Sequence, residues 1–297
     1  MLTHLNAQPQ EPTRVVVLGA GGFIASTVVE RLRAAGISVL ELGRPEMDLL
    51  MPGVAESLAE RLLPSDTLFF ASALAPVRDI GMFQDNMTMA AAVCTALKQK
   101  PVAHVVYLSS DAVYKDSNEP LTEDSCAEPG SLHGVMHLAR EIALRAGYPG
   151  PLVFVRPTLA YGLKDPHNGY GPNRFRRLAA EGRDIVLFGE GEERRDHVDV
   201  EDVAELVVQV VLHKSTGIIN AVSGEVVSFH ELAEFAAASF FPRVSVTGTP
   251  RVGAMPHNGY RPFNNAAVER AFPGFRFKSW REGLARVHDR VKLQAAT

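Results

Sequence analysis

The chain has 297 residues, 46% of them apolar and 22% charged, with a formal net charge of -4. Such a composition belongs to a globular protein with a sizeable core, built as one large α/β domain or as a nucleotide domain with a smaller appendage, and it argues against a nucleic-acid partner. Cys94 and Cys126 lack metal-ligand spacing and read as inert thiols of a cytoplasmic protein, and no apolar run is long enough to span a membrane.

Residues 1–13 are polar, contain Pro9 and Pro12, and lack the basic start and apolar core of a leader; they read as a disordered tail. The first strong signal follows. Val15 to Leu18 form a continuous apolar run suited to a strand buried on both faces, and Gly19-Ala-Gly-Gly22-Phe23-Ile24-Ala25 leads from it into a helical pattern. Gly19 supplies a tight turn, Gly22 lets a pyrophosphate approach the main chain, and Ala25 lets helix and strand pack closely. With a strand before it and a helix after it, the loop reads as a dinucleotide site whose free N–H groups face an anion.

Ile37 to Leu42 is the next expected strand, ending in Gly43-Arg44 where many dinucleotide folds carry an acidic residue. An acidic group there accepts from the 2′-hydroxyl of NAD, whereas the Arg44 fork suits the 2′-phosphate of NADP; NADP(H) is therefore expected, with NAD(H) second and Glu41 as the competing acidic partner. A helix at 54–63, a strand from Thr67 to Ala71, a small-residue loop Ala71-Ser72-Ala73, a helix from Met82 to Lys98 containing Asn86, and a strand from Ala103 to Leu108 continue the alternation. Alternating elements predict a doubly wound parallel sheet, a Rossmann domain with ligands at the carboxyl ends of its strands.

Leu108-Ser-Ser110-Asp111-Ala-Val-Tyr114 ends that strand, and Ser131-Leu-His133-Gly-Val-Met-His137 opens the next helix. Together with Arg156-Pro157, Tyr161-Gly162, Gly171-Pro-Asn173-Arg-Phe and Arg195-Asp196-His-Val-Asp-Val-Glu-Asp202, these segments resemble the extended short-chain dehydrogenase/reductases over residues 14–290. More narrowly they resemble the NDP-sugar epimerases, dehydratases and 4-ketoreductases. The stretch Leu42-Gly-Arg44-Pro-Glu-Met-Asp48-Leu49 looks most like the dTDP-4-dehydrorhamnose reductase and GDP-fucose synthase branch, where the Asp-Leu pair sits at the adenine.

The resemblance implies a reductase or epimerase of a nucleotide sugar, with 4-keto chemistry favoured. It assigns Gly19, Gly22, Phe23, Ile24, Arg44, Asp48, Leu49, Ala71, Ser72, Ala73, Asn86 and Pro157 to the cofactor. Asn173, Arg195 and Arg261 fall to the substrate, Ser110 to its carbonyl oxygen, and the helices near Met82 and His133 to a possible homodimer. It also implies a Tyr and, four residues on, a Lys at the helix start; here His133 and His137 stand in those places. The i, i+4 spacing keeps both on one helix face. An imidazole titrates near ~6.5, so it can exchange a proton at neutral pH without a lysine beside it. Four readings stand open: His133 is the acid/base; Asp111 moves the proton; cofactor binds without turnover, as in a sensor of NADP(H) or a nucleotide sugar; or both histidines are solvated. His137 is read as a ribose contact, and a zinc site lacks a third ligand.

Beyond Pro151 to Arg156, expected as a strand, residues 163–173 form a Gly- and Pro-rich functional loop and 174–188 a helix and a strand. The charges from Glu190 to Asp196, taken by themselves, read as a solvated turn. Glu201 to Leu212 (helix), Gly217 to Val222 (strand), a helix capped by Ser228, Val244 to Thr247 (strand) and Trp280 to Leu293 (helix) complete the chain. The expected division is a dinucleotide domain at 14–157, completed by 196–222, and a substrate lobe at 158–195 and 223–297.

Overall fold

The computed structural model describes residues 2–295; Met1, Ala296 and Thr297, at the ends of the expected tail and lobe, lie outside the described residues. In chain order the elements are β1 (Thr3–His4), β2 (Val15–Leu18), α1 (Phe23–Ala34), β3 (Val39–Leu42), α2 (Val54–Arg61), β4 (Thr67–Phe70), α3 (Ile80–Gln99), β5 (His104–Leu108), α4 (Leu132–Gly147), β6 (Leu152–Pro157) and β7 (Leu159–Tyr161). They continue as α5 (Pro172–Ala180), β8 (Ile185–Phe188), β9 (Arg194–Asp199), α6 (Val200–Leu212), β10 (Ser215–Ala221), β11 (Val226–Ser228), α7 (Phe229–Ser239), β12 (Val246–Thr249), β13 (Tyr260–Arg261), α8 (Ala266–Ala271) and α9 (Trp280–Ala295).

Seven strands form one sheet in the order β1-β10-β6-β5-β4-β2-β3, parallel except for β1. The two-residue side-chain period of β2 splits the core. Val15 and Val17 join Val28, Leu32, Val203 and Val207 from α1 and α6 on one face, while Val16 and Leu18 join Leu58, Val93, Leu97 and Leu144 from α2, α3 and α4 on the other. The sheet is thus the doubly wound Rossmann layer that the alternation of elements predicts. Its strand order reverses between β2 and β4, which opens a crevice at their carboxyl ends. Among the described residues, no helix is long and apolar enough to cross a membrane.

The smaller lobe has its own core of Phe175, Leu187, Leu232, Trp280 and Leu284. It is built on a sheet in which β9 pairs with β7, β11 and β13, and on a separate pair, β12 with β8. The capping box at Ser228 is present, with Ser228 and Glu231 exchanging hydrogen bonds at the start of α7.

Two boundary expectations are corrected. Residues 3–4 are not part of a free tail: β1 pairs antiparallel with β10, and His4 bonds the Ser215 hydroxyl at 2.8 Å and the Ala271 carbonyl at 3.0 Å. Main-chain pairing does not require apolar side chains, so a polar sequence hid it. Nor does all of 223–297 belong to the lobe, because α8 packs on β10 and buries Val268, Phe272 and Phe275 in the core shared with α1 and α6.

Candidate active site

The turn after β2 brings Gly19 to φ +83°, and a Cβ there would fall 2.8 Å from the Ser72 main chain. Only glycine serves both demands, left-handed backbone and close approach. Gly22 precedes α1 with no side chain to cap it, which leaves the amides of the first turn, including Phe23 and Ile24, open to an anion. A cavity of about 740 Å³ runs from this turn over the end of β3, lined by Gly19, Gly22, Arg44, Asp48, Leu49 and Ser72. A second, of about 820 Å³, continues it past Phe23 and Ile24 to Ser110, His133, His137, Pro157 and Arg195. The two meet at Gly22, Ala71 and Ala73. A groove with open amides at its centre and an arginine at one rim fits a dinucleotide diphosphate and the ribose beside it.

At that rim the Arg44 side chain is 73% exposed, with Nε 3.2 Å from Asp48 Oδ2. Glu41 lines the same cavity, but its carboxylate is paired with Arg33. Asn86 departs from its expected cofactor contact. It is fully buried, its Nδ2 donates to Leu74 O at 2.9 Å and Met82 O at 2.8 Å, and its Oδ1 accepts from Leu74 N at 3.1 Å. Its amide is used up holding the loop after β4, the loop that lines both cavities.

Ser110 lies two residues beyond the end of β5, and its Oγ accepts from Ala112 N at 3.1 Å while lying 3.4 Å from Asp111 Oδ1. Asp111 Oδ2 in turn accepts from Arg261 Nε at 3.1 Å, and Arg261 also donates to Asp111 O at 2.7 Å and to Asp116 Oδ1 at 2.5 Å. Arg261 is 1% exposed and lines neither cavity, so its expected role at a diphosphate is replaced by that of an anchor for Asp111. Asn173 is likewise turned inward: its Oδ1 accepts from Gly162 N at 3.0 Å, and it does not line the cleft. Arg195 does line it, with Nη1 3.3 Å from Glu193 Oε1.

The two histidines stand together. Ser131 caps α4 by accepting from Gly134 N, and a Cβ at Gly134 would sit 2.0 Å from Ala112 O, so this glycine allows the helix to dock against the Ser110 turn. His133 is half-buried and His137 buried, which removes the reading of both as solvated helix residues. Their rings meet edge-on at 4.7 Å. His133 Nδ1 lies 3.4 Å from Val77 N, and His137 Nδ1 lies 2.8 Å from the Tyr107 hydroxyl. Burial pulls the His133 pKa below 6.5 against the opposing pull of Asp111, and pulls that of His137 well below it, helped by His133 and Arg140. This end of the cleft is lined by Ser110, Asp111, His133 and His137, and burial disfavours the charged form of both imidazoles.

The whole of α4 is fixed from behind. Glu141 Oε1 accepts from Ser109 Oγ at 2.7 Å and Arg156 Nε at 2.8 Å, and its Oε2 accepts from Arg156 Nη2 at 2.5 Å, tying the helix to β5 and β6. Tyr107, Gly134 and Arg140 are contributors that sequence reasoning missed. Tyr107 sits in an apolar strand, where an aromatic reads as core; Arg140, three residues after His137, shares its helix face, and that spacing was the available signal.

The chain is similar to several known proteins. The model of the NAD dependent epimerase/dehydratase family matches residues 15–222. The UDP-glucose 4-epimerase of Mycolicibacterium smegmatis is 29% identical over 228 residues, covering 66% of this chain and 72% of that protein. Among solved structures, a GDP-L-fucose synthetase from Naegleria fowleri bound to NADP superposes with a TM-score of 0.82 at 18% identity, over 99% of this chain and 98% of the other. The UDP-glucose 4-epimerase of Thermus thermophilus in complex with NAD gives 0.83 at 24% identity, over 94% and 99%.

Proposed function

This chain belongs to the NAD dependent epimerase/dehydratase family, and from that premise we propose that it uses NADP(H) to transfer hydride at a ring carbon of a nucleotide-linked sugar. The chemistry is reduction of a 4-ketone, or epimerisation through a transient ketone. The observation that carries the reading is the convergence of Ser110, His133 and His137 on the cleft that continues the Gly19 groove. The nicotinamide, when bound, supplies or accepts the hydride.

The remaining tasks fall to the chain. Ser110 Oγ–H polarises the sugar carbonyl, and His133 delivers or removes the proton at its oxygen. Asp111 is held by Arg261 and is the weaker candidate for that transfer, since one oxygen is already committed to the guanidinium. Arg195, on the cleft wall, pairs with the substrate diphosphate. Arg44, half-free on the rim, takes the 2′-phosphate; with Glu41 engaged by Arg33, the carboxylate that would oppose NADP is neutralised. The replacement of Tyr and Lys by His133 and His137 favours a second reading, a protein that binds NADP(H) or a nucleotide sugar without turnover.

One assay addresses both. The pure protein is mixed with NADPH or NADH and a panel of 4-keto nucleotide sugars, and absorbance is followed together with direct binding, in wild type and Arg44→Ala. Turnover with NADPH is expected, and loss of the Arg44 fork is expected to remove about 1.5–3 kcal/mol of NADP preference, roughly 10- to 150-fold. Binding without turnover across the panel leaves the second reading, and equal affinity for NADP and NAD in wild type overturns the role of Arg44.

A further inference from the structure

Arg140 is fully buried, and its hydrogen-bond partners are neutral: Nε and Nη2 donate to Asn86 O at 3.0 and 2.8 Å, Nη1 donates to Ser72 O at 2.7 Å, and Nη2 lies 3.6 Å from the Met89 sulfur. The guanidinium also stacks over Phe70 at 5.0 Å. The same Phe70 ring lies 5.4 Å, centroid to centroid, from that of Tyr107, a phenol with no solvent exposure. A guanidinium offers donors only, so Arg140 can never take the phenol's proton.

The Tyr107 proton then has one place to go. Among the described residues, the hydrogen-bond partner of the hydroxyl is His137 Nδ1, at 2.8 Å. If Nδ1 carried a proton, two donors would face each other and the phenol O–H would be left buried without an acceptor, at a cost of ~1–3 kcal/mol. The arrangement that satisfies every group has Tyr107 donating to Nδ1 and the ring proton on Nε2.

We propose that the buried Tyr107–His137 hydrogen bond locks His137 as its Nε2–H tautomer, making the ring at the cleft a fixed hydrogen-bond donor to hydroxyl or carbonyl oxygens of the bound dinucleotide. This rests on the dinucleotide reading of the groove. Tyr107 acts through His137 and is a positioning residue; Arg140 ties α4 to α3 through Asn86 O. It also ties the site to the cofactor loop, because the same guanidinium holds Ser72 O, and Ser72 lines the cavity over β3. His137 then holds its ligand without exchanging a proton, and the proton transfer is left to His133.

The test reads the tautomer directly. The full chain is labelled with 15N-histidine and its ring nitrogens are recorded by long-range 15N–1H NMR at pH 7, without cofactor and again with NADP; His137 is assigned from the signal lost in His137→Gln. The expected spectrum has His137 Nε2 protonated and Nδ1 bare and hydrogen-bonded. Tyr107→Phe, which removes only the hydroxyl, is expected to populate the Nδ1–H form and to weaken NADPH binding about fivefold. A wild-type His137 that is protonated on Nδ1, alone or with Nε2, overturns the proposal, and that spectrum needs no variant to fold. Because the cofactor-free protein is read first, the tautomer is decided separately from whether NADP binds: an Nε2–H ring unchanged by saturating NADP, or no NADP binding at all, overturns the assigned ligand while leaving the lock in place.

Discussion

His133→Ala is expected to lower kcat by a factor on the order of 10²–10⁴, the usual contribution of a positioned acid/base, while NADPH affinity stays at the wild-type level. The expected split arises because His133 does not line the cavity over the end of β3 that holds Gly19, Arg44, Asp48 and Leu49. The pH dependence has a definite sign. Reduction consumes a proton, so it needs the imidazolium; since burial pulls the His133 pKa below 6.5, the reduction rate falls as pH rises through that lowered value, and the oxidation rate rises over the same window. Both limbs vanish in His133→Ala. Stopped-flow absorbance at saturating NADPH across pH 5 to 8 reads this, and an unchanged profile in the variant places the proton on another group.

Glu141→Ala is expected to cost about 3–5 kcal/mol of stability, the range for a buried ion pair deprived of one partner. Glu141 and Arg156 are 1% and 2% exposed, so the stranded guanidinium has no water to turn to. Ser109 loses its acceptor at the same time, and α4 loses its tie to β5 and β6, so the imidazoles it carries shift relative to Ser110. Urea unfolding measures the loss. Replacing both partners, as in Glu141→Met with Arg156→Met, is expected to recover much of it, because no unpaired charge remains. A loss below about 1 kcal/mol in the single variant, the scale of an exposed pair, contradicts this assignment.

The dinucleotide half was legible because its signals are local. An apolar run, a glycine turn and a helical period each follow from neighbouring residues, and β2, α1 and the sheet that continues them obey those patterns. The small sheet of the lobe was not. The charges from Glu190 to Asp196 read by themselves as a solvated turn; in the fold Arg194–Asp199 is β9, and Asp196 is buried with Thr158 Oγ1 at 2.8 Å, Ser223 Oγ at 3.0 Å, and the amides of Ser223 and Gly224 at 3.1 and 2.7 Å. Those partners lie far off in sequence, so no local pattern announces them. Asn86, Asn173 and Arg261 show the same limit at the site. An amide or a guanidinium serves a ligand or a main chain equally well, and here each is spent on the protein: Asn86 on Leu74, Asn173 on Gly162 and Arg261 on Asp111. The replacement of phenol and ammonium by two imidazoles was plain from the spacing, but the buried partner of the second imidazole was not. That partner is the Tyr107 hydroxyl, which unites α4 with β5 across 30 residues of chain.

The central claim is that hydride passes between NADPH and a sugar carbonyl in this cleft. Its most direct measurement uses NADPH deuterated at nicotinamide C4, incubated with the protein and a 4-keto nucleotide sugar, with the product examined by NMR and mass spectrometry. Deuterium carried onto the ring carbon of the former ketone in wild type, with transfer lost in His133→Ala, is the predicted result. Product free of deuterium, or cofactor bound but label retained across the panel of sugars, contradicts it.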